Sequence, residues 1–122
     1  MNTSSPSFGM ALKQKDIAST LKKLNSKQMN NYLDSANKIH RASEKTGFDV
    51  ALTKGIDYQK ADELVLSLKS KKHPEIRYKN VPITVEELKF QSHEIAEALT
   101  QFFKDESARL KNLDKITNKF GK

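Results

Sequence analysis

His93-Glu94-Ile95-Ala96-Glu97 is the grouping in this chain that comes nearest to metal chemistry. A zinc-protease helix sets two histidines four residues apart, so that both ring nitrogens converge on one ion. Here Glu97 holds the second position and no third ligand announces itself, whereas a zinc site needs three or four. A His–Glu pair on a solvated helix face is the plain explanation. Ser92 precedes His93, but adjacent helical residues do not face each other and no glycine elbow presents the serine as a nucleophile. His40 falls on the apolar stripe of its helix and is expected half-buried, bonded to a carbonyl rather than serving as a base. Glu86, Glu87, Glu94 and Glu97 crowd the start of the last helical region, with no sign of the pocket that acid–base work requires. Four scattered glycines make no phosphate-cradling loop. The chain therefore reads as non-enzymatic, with no cofactor and no metal expected.

Charge offers more than catalysis does. Lys69, Lys71, Lys72, His73, Arg77 and Lys79 gather in and around one loop, with Tyr78 among them. Such a loop can grip phosphates by charge alone, which makes Lys71, Lys72, His73, Arg77 and Lys79 the candidate residues for an anionic partner. The formal charge is +7, and it is uneven. Residues 1–47 hold eight Lys/Arg against three acidic residues, residues 48–82 seven against five, and residues 83–122 seven against seven. The excess belongs to the first helical region and the strands. A basic balance suits nucleic acid or an acidic protein, although dispersed lysines also serve solubility.

The elements that must position these residues follow from periodicity. Ile17, Leu21 and Leu24 predict a short helix from about Asp16. Ser26 is expected to cap a second helix carrying Met29, Leu33, Ala36 and His40, ended by Gly47. Phe48, Val50 and Leu52 alternate with Asp49, Ala51 and Thr53, which is strand patterning. Leu64, Leu66 and Leu68 do the same from Glu63 to Ser70; residues 58–70 also admit a helical face, but only a strand uses all three leucines. Ile76 and Tyr78 predict a third strand from Glu75 to about Asn80, with Val81-Pro82-Ile83 as its exit. Thr84-Val85-Glu86-Glu87 is a capping box, and Ile83 with Leu88 supplies the two partners of a hydrophobic staple. Leu88, Ser92, Ile95, Leu99, Phe102 and Phe103 run down the helix that follows, which reaches about Asn118 or breaks near Asp105. The fold class is α+β: an antiparallel three-stranded sheet flanked by N-terminal helices and a long C-terminal helix, in the order α-α-β-β-β-α. Residues 1–12 form a leader and residues 13–122 one domain.

The run α-β-β-β-α over residues 25–105 resembles the double-stranded RNA-binding domain in topology, without a shared motif. That family sets lysines at the start of its last helix to bind phosphates. This chain has Thr84, Glu86 and Glu87 there, whose charge opposes such binding. The leader Ser5-Pro6-Ser7-Phe8-Gly9-Met10-Ala11 resembles the start of small uncharacterised proteins of uncultured gut-associated bacteria. That resemblance implies no activity; Phe8-Gly9 reads as a short recognition or export peptide, or as a frayed terminus.

Cysteine is absent, which removes disulfides, thiolate metal sites and cysteine nucleophiles together. The first residues lack the basic start and apolar run of a secretory signal, and the longest apolar runs are only a few residues. A cytoplasmic location and no membrane contact are expected. The function expected is binding: to a protein partner, or to a second copy through the amphipathic stripe Leu110, Leu113, Ile116 and Phe120, with nucleic acid as the alternative.

Overall fold

The computed structural model describes residues 13–15, 17–54 and 63–120. The expected leader of residues 1–12 and the turn beyond Lys54 lie outside the described residues. Element order is β1 (Lys13–Lys15), α1 (Ala18–Leu21), α2 (Ser26–Thr46), β2 (Phe48–Lys54), β3 (Leu64–Ser70), β4 (Val81–Ile83), α3 (Val85–Phe90) and α4 (Ser92–Phe120). The fold is α+β, with β2, β3 and β4 antiparallel between the early helices and the long last one. None of the described helices is long and apolar enough to cross a membrane.

Strands β2 and β3 pair along their full length, from Phe48 opposite Ser70 to Lys54 opposite Leu64. This register puts Phe48, Val50 and Leu52 on the same face as Leu64, Leu66 and Leu68, and the helices cover it. Phe48 and Leu64, at opposite ends of this ladder, and Phe103 on α4 are fully buried. The segment that admitted either reading is thus a strand over Leu64–Ser70. Two features depart from expectation. Lys13–Lys15, with no apolar period of its own, adds a short parallel strand beside β2, so the sheet order is β1-β2-β3-β4. The third antiparallel strand is not Glu75–Asn80 but Val81–Ile83, pairing Val81 with Leu66 and Ile83 with Leu64.

The helices start and stop for local reasons. Asn25, not Ser26, caps α2: its Oδ1 accepts from the Gln28 N–H at 2.8 Å, and Gln28 Oε1 accepts from the Asn25 N–H at 2.9 Å. Gly47 closes α2 at φ +79°, a left-handed conformation that an L side chain adopts at a cost of about 1–2 kcal/mol. A Cβ there would meet nothing within 4 Å, so strain alone enforces glycine. Thr84 caps α3 through the expected box, accepting from the Glu87 N–H at 3.1 Å, and Ile83 and Leu88 are both buried as its staple. The helical region breaks at Gln91 (φ −129°, ψ 21°), and Ser92 returns its hydroxyl to the Leu88 carbonyl. From there α4 continues unbroken past Asp105 to Phe120, packing along α2 through Ala96, Leu99, Phe103 and Leu110.

Candidate functional site

The basic loop is built by two side chains that pull it toward α4. Tyr78 packs its ring against Phe48 and Phe102, with centroids 5.9 and 5.7 Å away in edge-on geometry. Its hydroxyl donates to Glu106 Oε2 at 2.6 Å, and Arg109 clamps the same carboxylate from its Nε at 2.8 Å and from Nη2. Burial first, and then the Glu106 bond, push the Tyr78 phenol up to about 12. The Arg109 guanidinium holds the Glu106 carboxyl below its usual range, with Tyr78 adding to it. Seven residues earlier in the chain than Tyr78's loop exit at Val81, Pro74 follows a histidine that makes the second tie. His73 Nδ1 lies 3.2 Å from Glu75 Oε2 and Nε2 lies 2.9 Å from Asp114 Oδ1. A ring donating from both nitrogens is the protonated one, so these bonds raise the His73 pKa above 6.5, Glu75 contributing most.

The five sequence-predicted residues do not form one patch. Lys71 sits 3.8 Å from Asp49 across the β2–β3 end. His73 is held by carboxylates, and with Lys72 it borders a hollow of about 320 Å³ between the end of α2 and α4, where Glu44 and Asp114 stand beside Lys45 and Lys111. Arg77 lines a groove with Lys69 and Asp49 that shares Leu68 and Tyr78 with the concavity lined by Lys79. Lys79 lines a third concavity. Lys72, Arg77 and Lys79 are exposed and make no ion pair with a described residue. All three face solvent, Lys72 beside the hollow at the end of α2 and Arg77 and Lys79 on two grooves that adjoin at Leu68 and Tyr78, while the other two residues are engaged by acids.

The remaining chemistry-bearing residues make contacts within and between the helices. His40 pairs with the carboxylate of Glu44 at 3.4 Å, one turn on, and not with a carbonyl. His93 is exposed, with Nδ1 3.5 Å from Ser35 Oγ on α2, at the limit of hydrogen bonding. Among the described residues no three His, Asp or Glu side chains are grouped to hold a metal ion. Glu75 and Asp114 bind opposite nitrogens of one ring, so they flank His73 rather than converge on a point.

A strongly apolar cleft is the feature that sequence reasoning missed. Strand β4 stops at Val81, opposite Leu66, while β3 runs on to Ser70. Beyond Leu66 this edge of β3 has no strand partner among the described residues, and Tyr78 instead packs on Phe102 and bonds Glu106 of α4. What results is a cleft of about 410 Å³ between β3, β4 and α4, walled by Leu66, Leu68, Val81, Ile95, Ala98 and Phe102. Lys79 stands on its strand-side lip and Glu87 on its helix-side lip. The sequence signal was Ala98, a small residue on the stripe of Ile95, Leu99 and Phe102, beside an edge strand blunted by Pro82. Comparison with models of known families, with curated proteins and with solved structures found no match to this chain.

Proposed function

We propose that this chain is a non-enzymatic interaction domain that binds a protein segment in the cleft beside β4. One observation carries the reading: an open apolar cleft, with Val81 41% exposed at its mouth and charged residues confined to its lips. Apolar surface left in water is unfavourable by about 25 cal/mol per Å², and contiguous exposed apolar surface marks an interaction site. An apolar floor with a polar rim is also the anatomy of protein–protein interfaces. The basic loop contributes Lys79 to one lip in this reading; it is not a phosphate clamp.

The reading is tested with a photoreactive benzoylphenylalanine at position 98 of the full chain. Lys104, on the opposite side of α4 by helical spacing, is the control position. Position 98 is expected to cross-link to a protein, a different chain or a second copy, and position 104 is not. With the captured protein purified, Ala98→Arg weakens its calorimetric affinity about tenfold or more, the equivalent of about 1.4 kcal/mol. Failure to cross-link any protein through position 98 overturns the reading.

A further inference from the structure

The lips of the cleft carry opposite charges. On the strand side stands Lys79, exposed, with Arg77 two residues before it. On the helix side stands Glu87, and α4 extends that lip: Glu94 and Asp105 are four residues before and seven residues after Ala98, hence on one stripe with it, and both are exposed. Asp105 accepts from Gln101 at 2.9 Å, while neither carboxylate on this stripe is in an ion pair with a described residue. Phe90, 70% exposed, stands three residues after Glu87 on α3.

A partner segment of one sign meets a like-charged lip whichever way it lies, and like charges set face to face oppose association. A second copy does not. Rotated by a two-fold axis, it lays each basic lip against an acidic one, twice, and an interface of this kind is self-complementary by symmetry. It also brings an exposed apolar side chain in Phe90. We propose that the occupant of the cleft is a second copy of this chain, with the Lys79 lip of each protomer against the Glu87–Glu94 lip of its partner. The inference rests on the cleft being a protein-binding site, and it names the protein.

Sedimentation velocity on the full chain over a concentration series tests it, with charge reversals on each lip. Lys79→Glu makes both lips acidic, and Glu94→Lys with Asp105→Lys makes the α4 lip basic. Glu87 is left alone because its carboxylate caps α3. Circular dichroism establishes that each variant is folded. Wild type is expected to show a concentration-dependent monomer–dimer equilibrium, and each lip variant to dissociate at least tenfold more readily. An equimolar mixture of the two variants is expected to recover the dimer, because both lip pairs regain opposite charge. Two results overturn the proposal: a wild type monomeric at every concentration, or a dimer that ignores both reversals and is lost instead with Leu113→Asp and Ile116→Asp. In either case a cross-link from position 98 to a different protein leaves the cleft reading standing, and its absence removes that reading as well.

Discussion

Tyr78 and Glu106 meet at 2.6 Å, and this bond ties the segment ahead of the third strand to α4. The segment from Pro74 to Asn80 has the length and alternation of a strand, yet its tyrosine is committed to a carboxylate on α4. Pairing with β3 begins only at Val81, and the cleft opens where that pairing is missing.

Removing this bond has a measurable signature. A phenol held neutral up to about 12 titrates after the ordinary value of 10.0. Because the folded value is the higher one, its contribution to stability is intact below pH 10 and fades as the pH passes from 10 to about 12. Tyr78→Phe is expected to delete the last tyrosinate step from an absorbance titration. It should also lower stability at neutral pH by about 1–2 kcal/mol, since a bond to a charged acceptor is lost while Arg109 still satisfies Glu106. An unchanged titration curve contradicts the assignment.

His73 makes the second tie, and its pH dependence has the same sign at a lower pH. Its folded pKa is raised, so the stabilisation is full below 6.5 and is lost as the pH rises through the folded-state value. Glu75 acts oppositely. Its own backbone N–H and then His73 hold its pKa below 4.5, so its share disappears as the pH falls through that lowered value. The tie is therefore strongest in mildly acidic solution. Lys72, Lys45 and Lys111 around the same hollow oppose the imidazolium, while Glu44 favours it. Urea denaturation across this range is expected to show stability falling as the pH rises above 6.5 in wild type, and a flatter profile in His73→Gln. Identical profiles would mean that the ring is not protonated between its two carboxylates.

The aromatic cluster sets the scale of the core. Phe48 stacks on Phe103 at 5.1 Å, and both are fully buried. Phe103→Ala is expected to destabilise by about 3–5 kcal/mol, the range for emptying a buried phenylalanine site. Leu113→Ala, at a position 40% exposed, is expected to change stability by less than about 0.5 kcal/mol. Thermal unfolding of the two variants separates a docked helix from a free one, because Leu110 is buried and residues 111–117 are not.

The double-stranded RNA-binding alternative requires the basic loop to act as a unit. With Lys71 and His73 engaged by carboxylates and Lys72 set apart from Arg77 and Lys79, no saturable complex with duplex RNA is expected at physiological salt. Binding confined to low salt, falling steeply as salt rises, would be the signature of bare charge. A tight complex abolished by changing Lys71, Lys72, Arg77 and Lys79 to Gln would establish the alternative instead.

Much of the architecture could be read from the chain because the relevant signals are local. Alternation at Phe48–Lys54 and Leu64–Ser70 reports one buried face for each strand. Gly47 and Thr84-Val85-Glu86-Glu87 mark helix ends through bonds made within a few residues. What escaped depends on partners distant in sequence. Ile76 and Tyr78 keep a strand's period, but Tyr78 answers to Glu106. Lys13-Gln14-Lys15 has no apolar pattern, and its parallel register with Ala51–Thr53 is invisible to periodicity. The basic residues stand close together in sequence, yet Asp49 and Asp114, from a strand and a far helix turn, engage two of them. The cleft was hidden because Ile95, Leu99 and Phe102 show the same stripe whether or not the neighbouring strand covers them.

The central claim is that the cleft is where this chain meets another protein, and methyl-resolved NMR addresses it most directly. The spectrum of the full chain is followed as its own concentration is raised, and again on addition of the protein captured through position 98. The account predicts shifts at Val81, Ile95 and Leu99, while Ile17 and Leu24 near α1 stay fixed. Shifts at Leu113 and Ile116 with a silent cleft would contradict it.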